Sequence, residues 1–496
     1  MPKHPNLLRN LTLGTARQEP DPVINTWLEA RDAVDPTADS AERLLATYAI
    51  TERLHRLEPG PAVTLGETSS APPDDRPLPS PKLSRGFQLI MEGTYAKVLP
   101  EALGLLEEVG VQFPPFLLPK LLEKALEHQD GRPEFSRGLL RAAGPRGSWL
   151  AGLNPAWQTL ASNYDLGVAW GREATPGRRT LLLKRWRQKD PTAAREALSV
   201  VWAKQSPKNQ ETFLEAMAIN LSAADQTWLR ERLGPKRKGV RRAILKLLLQ
   251  TGEELAVEQM TTLAAASLDE TGKIAALVNN QEGSELLDNY GGTQQKESLA
   301  GFLLNTLPPN LLPDLLGQTG SEFWVTLKKE ELKLAAEALL QYDLPDLHAE
   351  FVRFACLVNP AQLPIEAAAK LTASLGQEDF LSIFHDLLEK EKNILHFGGV
   401  PRILALSRNE AWSERISKSF VLQLTSTLRD IQSVPYSMQQ DLQSHWKLAI
   451  PLMNISTFGW MRTQLHSMTE RADGFGKLAI ELLQTTAFRR SLWARA

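Results

Sequence analysis

The chain has 496 residues, of which 43% are hydrophobic and 23% are charged. These proportions are close to those of globular proteins and exclude wholesale disorder, and 31 glycines with 32 prolines exclude a collagen-like chain. A single hydrophobic core stops growing at roughly 250–300 residues, so one undivided globule is not expected. The formal net charge of −2 points to no class of partner.

Local composition also limits where the protein functions. The single cysteine, Cys356, cannot form a disulfide within the chain, and its apolar surroundings are typical of a buried small side chain. Residues 1–17 lack the apolar core of a secretory signal peptide, and no apolar run approaches the roughly 18 residues that cross a bilayer. These patterns favour a soluble cytoplasmic protein without membrane contact.

Three regions precede the strongest pattern in the sequence. The first and third of these regions have helical patterns. Seven prolines between Glu58 and Pro81 predict that the second region is an extended linker. The regions are a helical segment at 1–57, with helices at 22–33 and 38–57, a linker at 58–86, and a helical region at 87–165.

Residues 171–270 have the strongest helical signal. They contain 15 Leu and 14 Ala but only 6 Val and Ile, a balance that favours helix over sheet. Val240, Ile244, Leu247 and Leu248 recur at the spacing of one helix face. Capping side chains before prolines mark several helix starts. The predicted helices are 176–188, 191–204, 207–219, 223–233, 237–251 and 253–267.

Further start signals have the form of capping boxes, namely Ser222 with Asp225 and Thr251 with Glu254. Helices of this length joined by short turns form antiparallel pairs, and stacked pairs bury each other's apolar faces. The segment Gly239–Leu249 also has the Val-Arg-x-x-Ala-x-x-x-Leu spacing of a HEAT-type helix. We therefore predict an all-α fold, a HEAT-like α-solenoid of antiparallel helical hairpins at 171–270 with additional N- and C-terminal helical regions.

After a polar break at 279–293, helical patterns continue with weaker repetition through the C-terminal region at 294–496. The segment Gly474-Phe-Gly-Lys477 lacks the earlier glycine and the following Ser or Thr of a phosphate-binding loop. It is interpreted as a loop before a helix at 477–485.

Sequence motifs of metal binding and catalysis are absent. No two of the eight histidines are three or four residues apart, and one cysteine cannot make a Cys-x-x-Cys pair. We expect no metal, no cofactor and no enzymatic activity. A hydrolase built from dispersed residues stays open, because catalytic triads assemble in space rather than in sequence.

Charge is distributed unevenly along the chain. Residues 171–250 contain 18 Lys and Arg against 7 Asp and Glu, a net charge of +11, whereas residues 251–330 have a net charge of −8. Stacked helices would merge the cations of the first block into one basic ridge. The ridge is a candidate surface for an acidic protein or nucleic acid, and the competing interpretation is a solvated helix exterior. Its residues are Arg178, Arg185, Lys189, Lys238, Arg242 and Lys246.

Several short segments form an ordered set. They are Leu11–Arg17, Gly147–Trp157 and Arg179–Pro191, followed by Ala194, Arg195, Trp202, Phe213, Leu214, Leu221, Ser222, Asp225, Val240 and Arg241. Together they resemble a bacterial family of HEAT-like proteins of unassigned activity, encoded beside a MoxR-type AAA+ ATPase and a von Willebrand factor A-domain protein. The resemblance covers roughly residues 1–270, and the Gly234–Gly239 turn departs from it by being more basic.

The resemblance implies an accessory scaffold for an ATPase-driven remodelling or metal-insertion system. Our first hypothesis is therefore a non-enzymatic scaffold or adaptor that binds a protein, with the ATPase or the A-domain protein as partner. The alternative is nucleic-acid binding, since HEAT-like alkylpurine DNA glycosylases combine a basic surface with a Trp and an Asp, here matched in type by Trp186 and Asp190. Trp186, Trp202 and Trp228 fall on apolar stripes and are predicted to be core, whereas base stacking needs exposed rings.

Overall fold

Helix-forming residues and capping side chains recur along the sequence, and they produce a helical structure. The computed structural model describes Thr12 and residues 37–57, 70–234, 237–275, 277–292, 296–342, 344–429, 436–471 and 473–494. These residues contain no β-strand, only an isolated bridge between Leu268 and Ile274, so the predicted all-α class is confirmed. The chain divides into two compact units, Met1–Ala71 and Pro72–Ala496.

In the first unit, helix α1 spans Ser40–Leu57. The Asp39 carboxylate accepts hydrogen bonds from the backbone N–H groups of Ala41 at 2.9 Å and Glu42 at 2.8 Å. This cap satisfies donors that have no partner within the first helical turn. Helix α1 matches the second of the two predicted N-terminal helices, and the first, at 22–33, lies outside the described residues.

The second unit opens with helices that surround their own hydrophobic core. Gly144, at φ +62°, and Pro145 interrupt the longest of them, so that it consists of two helical pieces. The helices are α2 (Pro81–Met91), α3 (Leu99–Val109), α4 (Leu118–His128) and α5 (Pro133–Leu153).

The predicted linker ends earlier than its proline content indicated. Pro81 occupies the first turn of α2, where its missing N–H is harmless, so residues 81–86 are helical. The preceding residues are held by Gln112, whose backbone N–H donates to the Pro77 carbonyl at 2.9 Å and whose Nε2 donates to the Asp74 carbonyl at 3.0 Å. Residues 58–69 of the predicted linker lie outside the described part of the chain.

The rest of the second unit consists of successive helices joined by short turns. In chain order they are α6 (Leu166–Arg172), α7 (Pro176–Lys189), α8 (Pro191–Trp202), α9 (Pro207–Met217), α10 (Gln226–Arg230), α11 (Lys238–Gln250), α12 (Glu254–Ala266), α13 (Gln281–Asn289), α14 (Lys296–Thr306), α15 (Leu311–Leu316), α16 (Gly320–Val325), α17 (Lys329–Leu339), α18 (Pro345–Leu357), α19 (Ile365–Ser374), α20 (Gln377–Lys390), α21 (Val400–Leu406), α22 (Glu414–Arg429), α23 (Tyr436–Ala449), α24 (Phe458–Gln464), α25 (His466–Thr469) and α26 (Gly474–Trp493).

Packing between these helices follows chain order in two series. One series runs from α7 through α9, α11, α14, α17, α19, α21 and α23 to α26, each helix against the next. A second series includes the steps from α16 to α18, α20, α22 and α24. A stack of helical hairpins would also pack each helix against its neighbours along the chain. One hydrophobic core extends from Trp170 to Leu482, so the regions predicted at 171–270 and 294–496 share it.

The last helix departs from simple neighbour packing. Helix α26 begins in the long core with Phe475 and Leu478 and ends in the core of α2–α5 with Phe488 and Leu492. The ring of Phe488 stacks on that of Tyr95 with centroids 4.0 Å apart. The two ends of the second unit are therefore in contact, a feature on which the sequence prediction made no statement.

Most predicted helix starts agree with the structure, with three corrections. The break predicted at 279–293 contains helix α13, whose start is capped by Asn280. Glu253 caps α12 by accepting from the Ala256 N–H at 2.7 Å, so the Thr251–Glu254 capping box was wrong, and Thr251 ends the preceding helix instead. Helix α26 begins at Gly474, because the Asp473 carboxylate accepts hydrogen bonds from the N–H groups of Phe475 and Gly476. The segment Gly474–Lys477 is thus the first turn of a helix rather than a loop.

Candidate functional site

Helix α11 places two of the predicted site residues against its neighbour α14. Its apolar face is buried, and Arg242 and Lys246 lie one turn apart beside that face. The Arg242 guanidinium carbon lies 5.1 Å from the centroid of the Phe302 ring, and its Nε donates to Thr306 Oγ1 at 3.3 Å. Lys246 Nζ donates to the side-chain oxygen of Asn305. Both cations are half-buried at fixed positions rather than extended into solvent.

These two cations line a groove of about 650 Å³. Its walls come from α9, α11 and α14, with one residue from the turn after α17. The lining mixes apolar side chains, amides and charges. The groove residues are Glu211, Leu214, Glu215, Ala218, Gly239, Arg242, Ala243, Lys246, Leu247, Gln250, Asn305 and Gln341.

The electrostatics of the groove are unusual because its cations have no close counterion. Neither Arg242 nor Lys246 forms an ion pair within 4.0 Å with any carboxylate in the described ranges. Burial lowers the pKa of Lys246 to about 8, helped by the Arg242 charge and opposed by Glu337, and burial also lowers the pKa of Arg242. An anion placed between the two groups would reverse part of this desolvation penalty.

The α9 wall of the groove is acidic. Glu211 and Glu215 lie one turn apart on α9, as the two cations do on α11. Gly239 allows Glu211 to approach, since a Cβ at that position would lie 2.1 Å from Glu211 Oε1. The Glu211 carboxylate thus lies at the N-terminal turn of α11, where the helix dipole favours a negative charge.

The other residues of the predicted basic ridge lie elsewhere. Arg185 forms hydrogen bonds to Asp130 Oδ1 through Nε at 3.1 Å and Nη2 at 2.6 Å, and Lys189 donates to the Ser162 carbonyl at 3.0 Å. Arg178 is exposed, 4.0 Å from Glu173, and Lys238 is also exposed. The structure thus divides the six cations, placing those of α7 near residues 130–173 and bringing only Arg242 and Lys246 together in the groove.

The residues matched to a glycosylase have other partners. The Asp190 carboxylate accepts from the Ala193 N–H at 2.9 Å and caps α8. Trp186 is partly buried and packs edge-on against Trp170, with ring centroids 6.5 Å apart. Trp202 and Trp228 are buried, as predicted from their apolar stripes. None of these rings is exposed beside the groove for base stacking.

A buried ionic cluster connects α7, α8 and the start of α10. Arg187 and Asp225 are both 0% exposed, and Arg187 Nη2 donates to Asp225 Oδ2 at 2.8 Å. Arg195 Nη1 donates to Asp225 Oδ1 at 2.8 Å. Burial alone would raise the pKa of Asp225, but the hydrogen bonds from the two arginines outweigh it and hold the pKa below its ordinary value. Asp225 and Arg195, which contribute to the family resemblance, thus serve the packing of the helices.

Other chemistry is limited in the residues that the structure describes. No group of three or more His, Cys, Asp and Glu among them could hold a metal ion. None of the helices there is both long and apolar enough to span a membrane. Cys356 is buried, and burial raises the pKa of its thiol to about 12, so it is not a thiolate nucleophile near neutral pH.

Sequence reasoning found the cations of the groove but missed the rest of its lining. The acidic pair Glu211 and Glu215 has the same turn spacing as the cations, and this matching spacing on neighbouring predicted helices was a usable signal. Asn305 lies 59 residues from Lys246 and belongs to no motif. Only the packing of α14 on α11 brings its amide to the lysine.

Comparison with known proteins gives a family and no closer relative. No curated protein and no solved structure matches the chain. One family model matches residues 6–495, nearly the full length. The chain therefore belongs to the family of unknown function DUF5691.

Proposed function

We propose that the protein is a non-enzymatic scaffold that binds an acidic segment of a protein partner in the groove between α9, α11 and α14. The observation that carries this proposal is the pair of half-buried cations, Arg242 and Lys246, with no ion-paired carboxylate among the described residues. Folding has already removed water from these two cations, so a carboxylate that arrives with a partner gains their attraction without that cost.

The amide groups of the groove support a peptide as the occupant. The Asn305 oxygen accepts from Lys246 and Gln341 Nε2 donates to the Glu337 carbonyl at 3.1 Å, which leaves the Asn305 NH2 group as a donor and the Gln341 oxygen as an acceptor. Together with the Gln250 amide they suit the alternating N–H and C=O groups of an extended backbone. Helical repeat stacks commonly use such long surfaces for extended partners.

The acidic wall of the groove favours protein over nucleic acid. Glu211 and Glu215 would repel the continuous phosphate backbone of a duplex, whereas a peptide places its acidic residue at one position only. The family resemblance adds two partner candidates, a MoxR-type AAA+ ATPase and a von Willebrand factor A-domain protein. A cytoplasmic location is part of the same proposal.

Charge reversal tests the proposal with a matched control. The groove variant is Arg242→Glu with Lys246→Glu, and the control is Arg178→Glu with Lys238→Glu, which changes net charge equally on exposed residues. We expect the tagged wild-type chain and the control to co-purify with the ATPase or the A-domain protein at low salt, and the groove variant to lose at least about tenfold in affinity.

Two results would contradict this function. One is equal partner recovery by the groove variant and the wild type, and the other is recovery of neither candidate partner by the wild type. Duplex DNA in a gel-shift assay provides the competing arm. A salt-sensitive shift that disappears when Arg178, Arg185, Lys238 and Arg242 are changed to Glu would favour nucleic-acid binding instead.

A further inference from the structure

Buried arginines recur in the described part of the second unit, and most of them have a carboxylate partner. In three cases a guanidinium group that is almost fully buried bonds an Asp or Glu and also backbone carbonyls. The pairs are Arg187 with Asp225, Arg408 with Glu410, and Arg489 with Glu101.

Arg402, on α21, is the exception. Its side chain is 0% exposed, yet it forms no ion pair with a described carboxylate. Its Nη1 has one long hydrogen bond, to the Leu395 carbonyl at 3.4 Å, and its Nε and Nη2 have no partner within the described ranges. Burial lowers the pKa of Arg402 to about 10, which leaves it charged at neutral pH.

The unpaired edge of Arg402 is the one that other arginines of this chain use to hold carboxylates. Arg489 donates to the two oxygens of Glu101 through Nε and Nη2. Arg76 holds Asp74 in the same way, with Nε to Oδ1 at 2.9 Å and Nη2 to Oδ2 at 2.7 Å. This side-on geometry matches two coplanar oxygens.

The surroundings of Arg402 keep that edge free. The guanidinium carbon lies 4.3 Å from the centroid of the Phe420 ring on α22 and 5.7 Å from that of Phe397. Aromatic rings cover the faces of a guanidinium and leave its N–H groups available for hydrogen bonds. The Phe397 ring also lies 5.6 Å from the His445 ring on α23.

More buried polar atoms on the same helices have no partner in the described structure. They are His445 Nδ1 and Trp446 Nε1 on α23, and Ser419 Oγ on α22. Burial and the Arg402 charge lower the pKa of His445, with Asp441 opposing them. A buried cation with unbonded N–H groups is strongly unfavourable, and an anion that accepts from these groups compensates both the charge and the missing hydrogen bonds.

We propose that α21, α22 and α23 enclose a binding site for one small oxyanion of the carboxylate class, held side-on by Nε and Nη2 of Arg402. The unpaired Nδ1 of His445, whose ring packs against the Phe397 ring beside Arg402, provides one further hydrogen-bonding atom near it. Because the Arg402 side chain is fully buried, the ligand is a free small anion rather than a side chain of a partner protein. This site is independent of the groove at Arg242 and Lys246.

Formate is the probe that fits this chemistry, and the melting temperature of the full chain is the measurement. Sodium formate is added in increasing concentration at one fixed pH, so that the protonation state of His445 does not change with the solution pH. Sodium chloride keeps the ionic strength constant. Chloride has no pair of coplanar oxygens and serves as the reference anion. We expect the wild-type melting temperature to rise with formate and to saturate, since a ligand that binds only the folded state stabilises it.

Variants assign the effect to Arg402. Arg402→Met should abolish the formate dependence, and Arg402→Lys, which offers no side-on edge, should require about tenfold more formate. Arg408→Met is the matched control: it removes a buried arginine that has its own carboxylate, so it lowers the melting temperature but retains the formate effect. A wild-type melting temperature unaffected by formate, or an undiminished formate effect in Arg402→Lys, would overturn the proposal even if Arg402→Met does not fold.

Discussion

Asp225 and Glu101 each compensate a buried arginine, and their removal would leave that charge isolated. Arg187 donates to carbonyl groups of Met217, Ile219 and Asn220 as well as to Asp225, so it cannot move to a new partner without breaking these bonds. Losing one member of such a pair is more harmful than losing an exposed pair, because water cannot replace the missing carboxylate.

For this reason we expect Asp225→Asn to lower the free energy of unfolding by about 3 kcal/mol, measured by urea denaturation at pH 7. The exposed pair of Arg178 and Glu173 provides the control, and Arg178→Gln should leave the unfolding midpoint unchanged. Equal effects of the two substitutions would show that the buried cluster does not stabilise the fold.

The same carboxylate makes stability sensitive to acid. Its pKa is lower in the folded state than the ordinary value of 3.8, so the unfolded state binds more protons as the pH falls. The stabilisation by Asp225 is therefore present above about pH 4 and is lost below it. Denaturation between pH 2 and pH 6 should show a smaller acid-induced loss of stability in Asp225→Asn than in the wild type.

Lys246 predicts a second rise of stability with pH, in the alkaline range. Burial lowers its pKa to about 8 in the folded protein from an ordinary value of 10.5, so the unfolded state binds more protons between these two pH values. Wild-type stability should therefore gain a contribution as the pH rises from about 8 to 10.5. Lys246→Met should raise the melting temperature at pH 7 and lack this gain, whereas Lys238→Met, at an exposed position, should match the wild type at each pH.

At the scale of the helix, local signals decide what the sequence could predict. Asp190 and Ser206 cap the helices that follow them, because a cap needs only the backbone two or three residues ahead. The Thr251 box was wrong because Glu253 occupies the capping position and the Thr251 hydroxyl bonds back to the Leu248 carbonyl. Thr251 and Glu253 are both acceptable caps by residue type. Which of them caps α12 depends on where α11 ends, and the geometry of the turn between the helices determines that.

Tertiary features were beyond this reasoning for a physical reason. Arg489 and Glu101 are 388 residues apart, and neither residue belongs to a local pattern that marks a partner. The groove was half predictable, since the spacing of Arg242 and Lys246 places them on one face of α11. Which neighbouring helix covers that face depends on the packing of α14, whose sequence has weaker repetition.

The first turn of α26 offers an element-scale test with two neighbouring glycines. A Cβ at Gly476 would lie 2.0 Å from the Arg471 backbone oxygen, whereas one at Gly474 would meet the flexible end of the Gln443 side chain at 2.8 Å. Gly476→Ala should therefore destabilise the protein by about 2 kcal/mol. Gly474→Ala should be close to neutral, because Ala favours the helix and Gln443 can move. Melting temperatures of the two variants check the difference, and a more harmful Gly474→Ala would contradict it.

At the scale of the second unit, α26 connects helices from both ends of the sequence. Arg489 holds Glu101 of α3, and Trp493 Nε1 donates to the same carboxylate at 3.0 Å. These contacts join the core of α2–α5 to the long core, so the two cores should unfold together rather than one after the other.

Glu101→Gln tests this coupling. It should lower the free energy of unfolding by about 2 kcal/mol, because the buried Arg489 loses its carboxylate partner. Hydrogen–deuterium exchange should become faster in residues 81–128 and in residues 474–493 together. Glu389→Gln, which breaks an exposed pair with Arg415, is the control and should leave both segments as they are. Faster exchange confined to α3 would show that the two cores open independently.

The contact between Tyr95 and Phe488 has a consequence for how such a chain can change in evolution. A stack with two free ends lengthens by duplication of a hairpin, since the new unit needs only one neighbour on each side. Here an added or deleted hairpin would displace α26 by about 10 Å, the usual distance between packed helices, and separate the two rings. We therefore expect insertions to be tolerated in the turns and a change in the number of helices between the two rings to be disfavoured.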